Sequence, residues 1–381
     1  MNLYVIFNNV YSGIIQSQVI DRLKYVEHNF GVRYKLIVFI SVRNFFIERQ
    51  KYRMRFPNCH VIPMFGGLKL WWLMFLLLFV YGIYYRPSKT IGRAIFSTQL
   101  ALWLRRFHLT RFVVYDGRGA VSAEWQEYLG RAGWPIPYDK IQELERNAIH
   151  FSDCKVAVSD ALVKYWEKEF RLIKTNDNVT VLPCLFSQMF RDFKMDNSLL
   201  SELKDQLGVV ANDCVFILSA SKSDWQEFKK VQGLLTQILD QSSNNKVIIL
   251  SNQELPSDFV LKYSYRVLHR WVLPHDVPKY YAICDYGILW REHSITNSVA
   301  APVKFAEYLS AGLKIIISKS IGDYTQLVLD YELGFVIDDF ESENQIQWTK
   351  PTDAEKVAIK RYAHHNFSME NYDYQLRKVF T

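Results

Sequence analysis

Short apolar runs alternate along the chain with stretches whose apolar residues recur at helical spacing. The opening residues, MNLYVIFNNVYSG, read as a buried strand entering a polar, glycine-bearing turn rather than as a cleaved leader. A helix is predicted from about Gln16, and further strands at Tyr34–Ile40, Ala94–Phe96 and Arg111–Tyr115, with helical patterns between them. After Pro183–Ser187 the pattern restarts. Strands are predicted at Val215–Leu218, Lys246–Ser251, Arg266–Leu268, Tyr286–Trp290 and Ile315–Ile317, and helices at Trp225–Leu239, Pro278–Cys284 and Asn371–Phe380. The strands are apolar throughout rather than alternating, as expected of parallel sheets covered on both faces. The chain has 381 residues, more than one core usually serves. The predicted organisation is an N-terminal Rossmann-like domain over 1–186, a second over 187–362, and a C-terminal helix within 363–381 that returns to the first. There is no internal repeat and no GxGxxG.

The run Leu68–Tyr85, LKLWWLMFLLLFVYGIYY, stands apart. It is apolar and about long enough to cross a bilayer. A span would divide the first domain between two compartments, which the later strands forbid. That leaves a helix lying on a membrane or one packed into the core. Trp71, Trp72 and the tyrosines suit an interface between hydrocarbon and water. Basic clusters at Arg43–Arg55 and Arg86–Arg93 favour anionic lipid. Residues 1–186 carry 25 Lys+Arg against 14 Asp+Glu, whereas residues 187–381 carry 21 against 25, so the overall +7 resides in the first half. An anionic surface or substrate is expected there. No nucleic-acid motif accompanies the charge, so nucleic acid is not an expected partner. The five cysteines show no CxxC spacing and read as buried free thiols of a reducing compartment. Nothing suggests a metal site.

The segment Ala301–Asp323, APVKFAEYLSAGLKIIISKSIGD, concentrates the candidate chemistry. Pro302 is placed at the start of a short amphipathic helix and Gly312 at its end, followed by the apolar strand Ile315–Ile317. The free N–H groups and dipole at such a helix start favour phosphate, and Glu307, one turn in, can reach a ribose diol. Just upstream, Arg291 and Lys304 offer cations, and Asn297 and Ser298 offer directional donors. In the first half, Asp116-Gly117-Arg118-Gly119 follows a predicted strand, with Glu124 on the next helix.

Glu307, Gly312 and Ile315–Ile317 resemble the nucleotide-sugar site of GT-B-fold glycosyltransferases, in particular the glycogen-synthase-like group called family 4. The resemblance departs from the family pattern at Val299, where a first glutamate stands, and at Lys314, where a proline does. It implies an α/β protein of the GT-B type, two Rossmann-like domains with parallel sheets facing across a cleft. It implies an enzyme moving a sugar from a nucleotide-diphosphate donor to a hydroxyl of a lipid-linked or polysaccharide acceptor, in capsule, O-antigen or exopolysaccharide assembly. The reaction is expected to be retaining, with no cofactor or metal. On this resemblance Asp116, Arg118, Arg291 and Lys304 carry the chemistry. Ser12, Gly13, Lys222, Trp271, Asn297, Ser298 and Glu307 hold the donor, Trp271 by stacking on the base and Ser12-Gly13 from the opposite wall. The expected setting is cytoplasmic, at the inner face of the plasma membrane. A membrane-associated scaffold with the same fold and no turnover is the alternative.

Overall fold

The computed structural model describes residues 1–130, 135–175, 178–194, 196–219, 228–337 and 346–381. The chain forms two compact units. One comprises residues 1–184, 294–301 and 369–381; the other comprises 185–293 and 302–368.

The first unit holds a seven-stranded parallel sheet in the order β3-β2-β1-β4-β5-β6-β7. The strands are β1 (Asn2–Phe7), β2 (Tyr34–Ser41), β3 (Cys59–Met64), β4 (Lys89–Arg93), β5 (Phe112–Asp116), β6 (Cys154–Ala157) and β7 (Val179–Val181). All six residues of β1 are buried, because helices cover both faces of the sheet. On one face lies the C-terminal helix Asp373–Phe380. The Tyr34 hydroxyl donates to the Phe380 carbonyl at 2.8 Å, and the buried Lys89 Nζ donates to the Val379 carbonyl at 2.9 Å. The Phe380 ring stacks on Tyr4 with centroids 6.5 Å apart.

The predicted strand Ala94–Phe96 is instead the first turn of the helix Ala94–Arg106. The strand there is β4, and Ala94 adopts a left-handed φ of 62° that turns strand into helix without a loop. Ile95 and Phe96 are buried, and so short an apolar run suits a buried strand or a buried helix turn, so its composition does not distinguish them.

Leu68–Tyr85 forms two pieces: a 3₁₀ segment, Gly67–Leu73, broken by non-helical angles at Leu70, and the α-helix Met74–Tyr85. Trp71, Met74, Leu78 and Gly82 form a buried stripe, while Trp72, Leu76, Val80 and Tyr84 are exposed. The twelve α-helical residues span about 18 Å, against about 30 Å of bilayer hydrocarbon. Gly67–Tyr85 is nevertheless long and apolar enough to pass for a span by composition, with 22% of its window buried. A helix apolar on all sides is normally enclosed; this one encloses a single stripe.

The second unit holds a six-stranded parallel sheet in the order β10-β9-β8-β11-β12-β13. Its strands are β8 (Cys214–Ser219), β9 (Asn245–Leu250), β10 (Val267–Arg270), β11 (Tyr286–Leu289), β12 (Lys314–Ser318) and β13 (Gly334–Ile337). Its core gathers Phe216, Leu235, Ile238, Val247, Tyr286 and Ile316. All five cysteines are free and buried.

Phe380→Ala removes a ring that covers β1 and β2, and is expected to destabilise the first unit by about 3–5 kcal/mol in chemical denaturation. An unchanged midpoint would show that the terminal helix contributes nothing to that core.

Candidate functional site

In parallel α/β sheets, ligands collect beyond the carboxyl ends of the strands. At that edge of the second unit stand Ser219 at the end of β8, the loop after β11, and Ser318 at the end of β12. The Arg291 N–H donates to Ser318 Oγ at 2.9 Å, and Ser318 Oγ donates to the Arg291 carbonyl at 2.8 Å. These paired bonds fasten the start of the loop to the neighbouring strand.

The helix Val303–Ala311 begins after Pro302, which stands at the N-cap rather than inside the helix, and ends at Gly312 with a left-handed φ of 85°. Tyr308 lies over β11 because residue 287 has no side chain; a Cβ there would fall 2.5 Å from the Tyr308 ring. The Tyr308 hydroxyl accepts from the Ser219 N–H at 3.1 Å, and the Tyr281 hydroxyl pairs with Ser219 Oγ at 3.0 Å. The two phenol rings lie 4.9 Å apart.

Beside this aromatic wall, half-buried Glu307 makes no side-chain hydrogen bond among the described residues. Burial pushes its carboxyl up to about 7, with Lys304 on the preceding turn pulling the other way. A carboxyl short of partners is suited to accept a pair of hydroxyl protons.

Trp271, after β10, is 59% exposed, whereas Arg270 is fixed, donating to the Tyr280 hydroxyl at 3.1 Å. Lys222 lies outside the described residues.

Asn297 and Ser298 do not form a loop of the second unit. They end the short helix Ile295–Ser298, which belongs to the first. Glu127 accepts the N–H groups of Ile295 and Thr296 at 2.7 and 3.0 Å and the Thr296 hydroxyl at 2.6 Å. Ser298 Oγ donates to the Ile295 carbonyl at 2.9 Å, and buried Asn297 donates to the Tyr128 hydroxyl at 3.4 Å. Val299 is buried, and its carbonyl accepts from Ser159 Oγ at 2.7 Å.

In the first unit, Asp116 and Arg93 end adjacent strands in register. Asp116 accepts from the Tyr4 hydroxyl, from Arg93 Nη1 at 3.3 Å and from Arg118 Nη2 at 3.0 Å. Arg22, 1% exposed, donates to Gln18 Oε1 at 2.6 Å and to the Pro183 carbonyl at 2.8 Å. Burial alone would raise the Asp116 pKa, but Arg118, Arg93 and Arg22 outweigh it and hold the carboxyl below its ordinary value. The Tyr4 phenol is pushed up to about 12 by burial and by Asp116. A carboxylate so stabilised is a weak proton acceptor; its geometry is that of an anchor for arginines. Among the described residues, Arg118 Nε and Nη1 are buried without a hydrogen-bond partner.

Gly117 is needed for space rather than for an unusual turn, since a Cβ would fall 2.6 Å from the Trp166 ring and its φ is not left-handed. Buried Glu145, which sequence reasoning missed, accepts the N–H groups of Val121 and Ser122 at 3.0 and 2.7 Å and so fixes the helix start after Gly119. Ser12 caps a short helix, accepting from the Ile15 N–H at 3.4 Å, and Gly13 is its first residue. The Tyr11 N–H, donating to Glu48 at 2.5 Å, pins that loop.

No protein-family model and no curated protein matches the chain. Solved structures do. A glycosyltransferase from Rickettsia africae ESF-5 superposes with a TM-score of 0.71 at 13% identity, covering 99% of this chain and 96% of that one. Anabaena Alr3699/HepE, solved in complex with UDP, gives 0.69 at 14% identity over 99% of both chains. WaaG, a glycosyltransferase involved in lipopolysaccharide biosynthesis, gives 0.66 at 12% identity over 100% of this chain and 99% of that one. With its two parallel-sheet α/β units and these superpositions along its whole length, the chain has the GT-B fold.

Proposed function

We propose that the protein is a glycosyltransferase that moves a sugar from a nucleoside-diphosphate donor to a hydroxyl of a lipid-linked or polysaccharide acceptor, without a metal and with retention of anomeric configuration. The carrying observation is Glu307: a half-buried carboxyl short of hydrogen-bond partners, on the helix behind Pro302, beside Lys304. In this reading Glu307 takes the ribose diol. Lys304, Arg291 and Lys222 offset the charge that gathers on the departing diphosphate, which is why no metal is required. Trp271 stacks on the base, and the Ser12-Gly13 turn contributes N–H donors. Arg118, steadied by Asp116, meets the acceptor. The UDP bound by HepE, and the UDP and glucose of a second HepE complex, make UDP the first nucleotide to test. The apolar face of Met74–Tyr85 and its basic surroundings support peripheral contact with an anionic membrane, and lipopolysaccharide, capsule or exopolysaccharide assembly at the inner face of the plasma membrane as the setting. Buried Val299, in place of the acid that resembling enzymes carry, favours the alternative of a scaffold without turnover. Release of nucleoside diphosphate from a panel of nucleotide sugars separates the two.

Because the Glu307 carboxyl holds its proton up to about 7, UDP affinity is expected to rise between pH 6 and pH 8. Glu307→Gln should flatten that profile and cost roughly tenfold in affinity at pH 8, the worth of one hydrogen bond to a charged acceptor. A wild-type profile in the variant would remove Glu307 from the site. Asp116→Asn leaves buried guanidinium groups without their counter-charge, and is expected to destabilise the first unit by about 3–5 kcal/mol. Full stability combined with lost turnover would instead make Asp116 the base.

A further inference from the structure

Two cavities meet in the first unit beneath the exposed apolar helix. One, of about 360 Å³, is lined by Trp72, Phe75, Leu76, Trp103 and Phe107, with Arg106 at its rim. The other, of about 340 Å³, shares Trp103 and Arg106 with the first and adds Arg105, Lys140, Glu143 and Asn147. The first is apolar and aromatic, the second polar and cationic, so together they suit an amphiphile.

The aromatic wall is braced. Phe75 lies 5.5 Å from Trp103 and 5.6 Å from Phe107, and Trp71 stacks on Trp103 at 5.4 Å. The cations of the polar cavity differ in commitment. Arg105 is bound to Asp153 at 2.7 Å and to the Phe151 carbonyl at 2.5 Å, and Lys140 to Glu143 at 2.7 Å. Arg106 makes no ion pair or hydrogen bond among the described residues, and it stands where the two cavities join. The apolar surface continues outward through Val80, Ile83 and Tyr84, which are 61%, 49% and 78% exposed.

We propose that this groove binds one hydrocarbon chain of an anionic phospholipid, with the lipid phosphate held by Arg106. The helix Ala94–Arg106 leaves the sheet at the carboxyl end of β4, beside Asp116, and runs back to the opposite edge. A lipid in the groove therefore occupies a separate position from the reacting acceptor and leaves the Asp116 edge unobstructed. The proposal rests on the membrane-facing reading of Met74–Tyr85 and is independent of donor binding.

The test is calorimetric titration of the full chain with dihexanoylphosphatidylglycerol below its micelle concentration, beside dihexanoylphosphatidylcholine and glycerol phosphate. Saturable binding is expected for the first, weaker by roughly five-fold for the second, whose choline cation opposes Arg106 by about one charge at the surface, and absent for the third. Arg106→Gln should equalise the two lipids, and Leu76→Gln, at an exposed rim position, should weaken both; circular dichroism confirms that each variant folds. Equal binding of both lipids by the wild type, glycerol phosphate binding as well as lipid, or no saturable binding overturns the proposal. Cosedimentation with phosphatidylcholine–phosphatidylglycerol vesicles separates the two readings. Vesicle binding without short-chain lipid binding overturns the groove and leaves the membrane contact. Short-chain lipid binding without vesicle binding does the reverse.

Discussion

Asp116 sits at the carboxyl end of β5, out of water, among three guanidinium groups and a phenol. Segments far apart in the sequence converge on it: β1 through Tyr4, β4 through Arg93, its own loop through Arg118, and the helix Asp21–Phe30 through the charge of Arg22. Burying any one of these ions alone would cost several kcal/mol, and their mutual attraction makes the set tolerable. The cluster carries more positive than negative charge, and two Arg118 donors within it find no partner among the described residues. The first unit thus keeps a positive centre at the strand edge where substrates of such folds gather.

Three carboxyls, two buried and one half-buried, show how environment sets behaviour. Asp116, crowded by guanidinium groups, is held ionised. Glu145, with only backbone and hydroxyl donors around it, is raised to about 7, as is Glu307 beside a single lysine. Glu145 spends its lone pairs on the N–H groups of Val121 and Ser122. Glu307 has no such use among the described residues, and that distinguishes a group available to a ligand from one absorbed by the fold.

What could be read from the chain was whatever is local. Strands buried on both faces announce themselves as apolar runs, and β1, β2, β8, β9, β11 and β12 were legible on that ground. β3, β6 and β7 were not: His60 and Pro63, Lys155 and Thr180 interrupt their apolar character. Glu307 and Gly312 were legible because a helix and its stop lie within a few residues. The partners of Asp116 were not, since Tyr4 is 112 positions away. Nor was the capture of Thr296 by Glu127, 169 positions upstream, which withdraws Asn297 and Ser298 from the neighbouring loop. Nothing in the local pattern separates a residue on a loop from the same residue claimed by a distant carboxylate.

That capture bears on chimeras. Residues 294–301 belong to the first unit although the chain on either side belongs to the second. Grafting a relative's second half onto residues 1–184 by one splice would lay a foreign segment on Glu127, Tyr128 and Ser159. A working hybrid has to keep this chain's own residues 294–301, together with its own terminal helix, so the practical module boundary is a set of junctions rather than a single point.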